Sequence, residues 1–156
     1  MPTVTRTATT TSRPGVKAEE RAAEVERLLE RTRDWAAARP DVAAVGLAGS
    51  WARGEAHANS DVDLPVLTDE PRRYLEDEGW VRALGGLRTI KMQTWGPLTE
   101  RRFVLPSGLE VESGIATPSW PVVDPVDPGT LGVVRDGFRA VYDPEGLLAR
   151  LVEACR

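Results

Sequence analysis

The sequence predicts a mixed α/β (α+β) protein with a largely antiparallel sheet flanked by helices. Three observations predict it. Apolar residues recur every three or four positions between residues 16 and 39, the period of a helix with one buried face. Short apolar or alternating runs follow from 42 to 116, the pattern of strands. Gly, Pro and Ser separate these runs at close intervals. With 156 residues, 41% hydrophobic and 28% charged, the chain is long enough to bury a core. The expected organisation is a disordered tail over 1–15 and a single domain over 16–156.

In chain order, Val25, Leu28, Leu29, Thr32 and Trp35 mark the buried stripe of a first helix, which Pro40 ends. VAAVGLAG (42–49) is small and almost wholly apolar, as a buried strand is. A Gly-Ser turn follows, and DVDLPVL (61–67) reads as a second strand in which Pro65 removes a ladder donor and so favours an edge or a bulge. PRRYLEDEGWVRAL (71–84) reads as one helix with Pro71 in its first turn. LRTIKMQTW (87–95), LTERRFVLP (98–106) and GLEVESGIA (108–116) alternate and are punctuated by Gly-Pro and Pro-Ser-Gly, so they read as strands joined by hairpins. The segment 119–130, with Pro121, Pro125 and Pro128, reads as an extended crossing. FRAVYD (138–143) reads as a last strand, and Asp143-Pro144 as the cap and first position of a final helix.

Composition narrows the partners. The net charge is −4, while residues 1–17 hold Arg6, Arg13 and Lys17 and no acid, so +3 sits there and −7 on the remainder. An acidic body argues against nucleic acid as the main partner, because that affinity comes largely from neutralising phosphates. No apolar run is long enough to span a bilayer. The single cysteine, Cys155, excludes an intramolecular disulfide and a cysteine-built metal site. The expected location is the cytoplasm.

The stretch GSWARGEAHANSDVDL (49–64) carries the chemistry. Asp61 and Asp63 lie two apart, so on a strand they share a face with Cα atoms roughly 6–7 Å apart. Two carboxylates so placed repel unless a cation stands between them, and Mg²⁺ takes oxygen ligands of this kind together with phosphates. On its own such a pair is equally an exposed strand end. The bend ahead of it changes that reading. Gly49 follows an apolar strand and lets the backbone approach a ligand, Ser50 adds a hydroxyl, and the next amides, at an expected helix start, favour anions. Arg53 is placed to reach a phosphate oxygen.

The order Gly49-Ser50, Arg53-Gly54, then Ser60-Asp61-Val62-Asp63-Leu64 resembles the signature of the nucleotidyltransferase superfamily that includes DNA polymerase beta. The resemblance is greatest to its small bacterial branch of minimal and aminoglycoside nucleotidyltransferases. It implies the nucleotidyltransferase fold and transfer of a nucleoside monophosphate, usually AMP from ATP, onto a hydroxyl group with release of pyrophosphate. It implies further that Gly49 and Ser50 hold phosphates, with Ser60 in the same nucleotide-binding stretch, and that Asp61 and Asp63 bind two Mg²⁺ ions. A third carboxylate is implied on a later strand. Glu110 and Glu112 both qualify and share a face; relatives carry this acid four residues after a hairpin glycine, which favours Glu112 after Gly108. The competing reading is that both are the polar side of a half-exposed strand.

Other residues weigh less. Lys91 is a candidate for the triphosphate or a solvated strand lysine. Of the neighbours Arg101 and Arg102, at most one faces phosphate, since adjacent strand residues point opposite ways. His57 reads as an exposed loop residue. One tryptophan among Trp51, Trp80, Trp95 and Trp120 is available to stack on the base, the rest being core. The acceptor is left open between a small molecule and a protein. Aminoglycoside-modifying relatives carry a further helical domain, so a second copy of the chain or a partner protein is expected to complete the cleft. The alternative functions are an antitoxin-like module that binds or modifies a partner toxin, and a nucleotide-binding domain without turnover.

Overall fold

The computed structural model describes residues 17–95, 98–121 and 125–156. The tail expected over 1–15, the Gly96-Pro97 turn and residues 122–124 of the expected crossing lie outside them. The helical stripe forms α1 (Ala18–Ala37), with Arg21, Val25, Leu28, Leu29, Thr32 and Ala36 buried. The strands are β1 (Val42–Ala48), β2 (Val62–Asp63), β3 (Val66–Thr68), β4 (Arg88–Trp95), β5 (Leu98–Val104), β6 (Glu110–Ala116) and β7 (Phe138–Tyr142).

They form one mixed sheet. β2 and β3 are two halves of an interrupted strand lying between β1, to which both are antiparallel, and β6, to which both are parallel. β5 and then β4 extend the sheet beyond β6 as antiparallel neighbours, and β7 pairs with β1 at the other side. Pro65 is the cause of the interruption, as its missing N–H predicts. The gap is bridged by backbone bonds from Leu64 N to Glu112 O and from Gly46 N to Pro65 O, both 2.9 Å, and by the Ser113 hydroxyl donating to Leu64 O at 2.7 Å.

Helices cover the two faces unequally. On the back face α1 joins α2 (Pro71–Glu76) and α3 (Gly79–Ala83) around a core of Leu28, Leu47, Val62, Tyr74, Trp80, Phe103 and Val111. Trp80 sits at its centre, 5.6–5.9 Å from the rings of Trp35, Tyr74 and Phe103. Each such side chain contributes about 1.5–3 kcal/mol by leaving water. On the front face α4 (Pro128–Arg135) and α5 (Leu147–Ala154) cover only part of the sheet, where Ala44, Leu67 and Ala116 pack against Leu148. Gly46 is part of that floor: a Cβ there would lie 2.5 Å from the Phe138 ring, so glycine is what lets β7 place Phe138 over β1. The remaining front face carries polar residues, and the site is there.

Four elements differ from the expectation. The stretch 71–84 is two helices, because Asp77 is extended (φ −102°, ψ 134°), its carboxylate takes the Gly79 N–H, and Arg101 takes the carbonyls of Tyr74 and Asp77. The proline-rich crossing turns into α4 at Pro128, where Asp127 caps the helix by accepting from Thr130 N at 3.1 Å. The last helix begins at Leu147 after a left-handed Gly146, although Asp143 still accepts from the amides of Leu148 and Ala149. No helix follows Gly49-Ser50; residues 50–54 are turns, closed by bonds from Ala52 N and Arg53 N to Gly49 O.

Candidate functional site

The strand pairings draw one row of residues across the open front face. Ala48 on β1 is the register partner of Asp63 on β2, Asp63 of Glu112 on β6, Glu112 of Arg102 on β5, and Arg102 of Lys91 on β4. Register partners point to the same side, so Asp63, Glu112, Arg102 and Lys91 stand together. Asp61 and Glu110 join them two residues away along their chains. Glu112 is thus beside Asp63 across a parallel pair, and Glu110 is one step further out.

Gly49 sits at the end of β1, over Asp63. Its φ of +80° belongs to the left-handed region, and a Cβ would lie 3.1 Å from Asp63 Oδ2. Glycine therefore allows the bend and the carboxylate to approach. The bend is anchored from the far side by Gly49 N donating to Gly137 O at 2.9 Å.

The electrostatics are dominated by crowded carboxylates. Burial, then the Glu112 carboxylate with which it shares a hydrogen bond, then Asp61 and Glu100, push the Asp63 carboxyl up to about 7. Arg102 answers the remaining acids. Its Nη1 donates to Asp61 Oδ2 at 2.8 Å and to Glu110 Oε1 at 2.9 Å, and its Nη2 donates to Glu112 Oε2. Burial weakens the guanidinium's charge, but the hydrogen bonds to Asp61 and Glu110 and the charge of Glu112 raise its pKa above the ordinary arginine value. Arg101 lies on the other face, 2% exposed, bonded to Thr89 Oγ1, Tyr74 O and Asp77 O and stacked over Trp80.

Hard oxygen donors of this kind suit a divalent cation. Among the described residues, no three His, Cys, Asp or Glu side chains already form a metal cage; the Arg102 guanidinium is bonded to three of the acids that would build one. The donor chemistry fits a metal ion, with Asp63 and Glu112 at the centre and Asp61 beside them.

Arg53 is not in the row: its Nε pairs with Glu55 at 2.6 Å and its Nη1 with Asp136 at 3.2 Å. The Ser60 hydroxyl accepts from His57 N at 3.0 Å and closes its own loop. Trp51 Nε1 donates to Ser60 O, which ties that loop to the Gly49 bend. Lys91 lines a small hollow with Gln93, Glu100, Arg102 and Glu112. A cavity of about 170 Å³ beside Asp63 and Glu112 has Ala48, Pro65, Gly114, Trp120 and Val133 as its apolar wall. Trp80 is core, and Trp120 borders the acids through that cavity. A cleft of about 470 Å³ lies at the opposite end of β1 around Arg39, Val42 and Pro144, away from the carboxylates.

Arg102 is the residue that sequence reasoning undervalued. The signal was present: a hairpin centred on Ser107 sets Arg102 opposite Glu112, since both are five residues from it.

Comparison with known proteins gives the following. No curated protein matches the chain significantly. Among solved structures, a cytoplasmic RNA terminal U-transferase is similar at a TM-score of 0.49 and 21% identity, over 64% of this chain and 30% of that one. Cid1 poly(U) polymerase is similar at 0.48 and 20%, over 64% and 32%. An aminoglycoside 6-adenyltransferase from Bacillus subtilis is similar at 0.43 and 13%, over 62% and 35%. The matched region is thus about a third of the length of these proteins. Among the described residues no helix is long and apolar enough to cross a membrane. The sequence matches the nucleotidyltransferase domain over residues 25–110, a span that holds the Gly49 bend, Asp61 and Asp63 and stops two residues before Glu112. That is more than half of the 156 residues, and the chain belongs to the nucleotidyltransferase domain family.

Proposed function

We infer that the chain is a Mg²⁺-dependent nucleotidyltransferase that moves a nucleoside monophosphate, AMP from ATP, onto a hydroxyl of a small molecule or a protein. The observation that carries this reading is the register pair of Asp63 and Glu112 beneath the left-handed Gly49 bend. In the reaction, the acceptor oxygen bonds to the α-phosphorus and the bond to the α–β bridging oxygen breaks. Pyrophosphate leaves with that electron pair, and the hydroxyl proton passes to a carboxylate, for which Glu112 is the candidate. Asp61, Asp63 and Glu112 are the proposed ligands of two Mg²⁺ ions, which when bound stabilise the attacking and leaving oxygens. The backbone of Gly49 and Ser50 is the proposed cradle for the β- and γ-phosphates. Lys91, on the same face, is the proposed further contact to the triphosphate.

Arg53 and Ser60 enter this reading as supports of the bend, given their bonds to Glu55, Asp136 and His57. The cavity walled by Trp120 and Val133 opens beside Asp63 and Glu112 and offers room for a reacting partner. The reaction asks little covalent chemistry of the protein; positioning and charge supply the rate. A second copy of the chain or a partner protein is proposed to add the rest of the acceptor site. The workplace of the enzyme is proposed to be the cytoplasm.

One observation favours a second reading, a nucleotide-binding module without turnover: the Arg102 guanidinium already engages Asp61, Glu110 and Glu112. Incubation with each α-labelled NTP, Mg²⁺ and panels of hydroxyl-bearing small molecules and proteins separates the two. Label on an acceptor, lost in Asp63→Asn, supports transfer. Nucleotide binding with no label on any acceptor supports the module.

A further inference from the structure

We propose that Arg102 is a built-in competitor for the divalent cation: its guanidinium holds the acidic cluster when no ion is bound and must leave it for an ion to enter. This rests on the metal-dependent reading above and adds a regulatory residue to it.

Three observations carry the proposal. The first is the identity of the partners. Arg102 donates to Asp61, Glu110 and Glu112, which come from two separate segments of the chain. Two of the three are the proposed metal ligands on either side of Asp63. A guanidinium does not lose its proton in a protein, so this is a permanent single positive charge with a planar fork of donors.

The second is the contrast with Arg101. Arg101 is bound to the scaffold, through Thr89, Tyr74 O and Asp77 O, with its guanidinium over Trp80. Every hydrogen bond given for Arg102 ends on a carboxylate, so its partners are all groups that an ion also seeks. Its side chain is 24% exposed, against 3% for Arg101, and so retains a path out of the cluster.

The third is the charge balance. One guanidinium faces Asp61, Glu110 and Glu112, and Asp63 stands beside them as the register partner of Glu112. The clamp leaves the cluster undercompensated, and a doubly charged ion is the better match. The two cations cannot hold the same oxygens at once. The apparent affinity for the ion is therefore its intrinsic affinity reduced by the fraction of chains with the clamp open.

The test measures Mn²⁺ binding to the full chain by calorimetry for wild type, Arg102→Gln and Arg102→Lys, without nucleotide. The proposal expects Arg102→Gln to bind about tenfold tighter or more, with Arg102→Lys between the two because it keeps the charge and loses the fork. The apo form of Arg102→Gln melts lower than wild type, since its carboxylates lose their counter-charge, and it gains a larger stabilisation from Mn²⁺. Independently of the variants' folding, the wild type is titrated with Mg²⁺ while the arginine side-chain ¹⁵N signals are followed: the Arg102 signal moves along the binding curve and the Arg101 signal stays. Equal or weaker binding in Arg102→Gln, an Arg102 signal unmoved by bound Mg²⁺, or the absence of ion binding in all three chains overturns the proposal. Tighter binding in Arg102→Gln together with no nucleotide transfer would leave the proposal standing and sink the enzymatic reading alone.

Discussion

Asp63 on β2 and Glu112 on β6 are register partners on parallel strands, and burial together with the neighbouring Glu112 carboxylate raises the Asp63 carboxyl. The pair has a consequence for stability. Burial and the neighbouring acids push the Asp63 carboxyl from the usual 3.8 up to about 7. Between those values the native state binds more protons than the unfolded one, so stability is lost as pH rises from about 4 to 7. Asp63→Asn should therefore melt higher than wild type at pH 8 in the presence of a chelator, by about 2–4 °C for each kcal/mol relieved. The gap should close at pH 5, where Asp63 is protonated. Thermal melts at the two pH values check it, and a gap that widens at pH 5 would contradict the raised Asp63 carboxyl.

The carboxylates should separate by role in an activity assay. Asp61→Asn, Asp63→Asn and Glu112→Gln each remove charge from the proposed metal set and should each lower nucleotide transfer by about 10²-fold or more. Glu110→Gln lies one step outside the register row and should lower it by less than about tenfold. Initial rates with saturating nucleotide, on variants whose circular dichroism matches wild type, decide between Glu112 and Glu110 as the third acid.

Gly49 is constrained twice, by its φ of +80° and by Asp63 Oδ2 at 3.1 Å from where a Cβ would stand. Gly49→Ala should cost about 1–2 kcal/mol in strain. It should also weaken binding of the triphosphate more than binding of the free nucleoside, because the bend faces the phosphates in the proposed complex. Equilibrium binding of ATP and adenosine to the two proteins measures the difference.

Arg101 should matter for stability where its neighbour matters for the site. Arg101→Ala leaves Tyr74 O with Trp80 Nε1 as its side-chain donor, takes the guanidinium donor from Asp77 O, and removes the cation over Trp80. Urea unfolding should show a loss of about 2–4 kcal/mol.

Much of this architecture is legible in the sequence because it rests on local periods. The i, i+3, i+4 stripe of α1 and the alternation of β4–β6 follow from side-chain geometry, and so does the common face of Asp61 and Asp63. The break at Pro65 follows from a missing N–H. What was not legible depends on partners far away in the chain. Arg53 has the spacing for a phosphate contact, yet Asp136, 83 residues on, pairs with it. The helix over 71–84 breaks at an extended Asp77, where Arg101, on a later strand, takes the Tyr74 and Asp77 carbonyls. Arg102 looks like any strand arginine until the register of β5 on β6 sets it against Glu112. The α4 start was written locally, as Asp127 capping ahead of Pro128, but the density of prolines around it masked the signal.

The central claim is that the Asp63–Glu112 pair serves transfer of a nucleotidyl group, and the fate of two labels tests it most directly. Wild-type chain is incubated with Mg²⁺ and an acceptor, using ATP labelled at the α-phosphate in one series and at the γ-phosphate in another. The account predicts α label on the acceptor, γ label in pyrophosphate, and neither product with Asp63→Asn. Label from the γ-phosphate on the acceptor, or α-label transfer that survives Asp63→Asn, would contradict it.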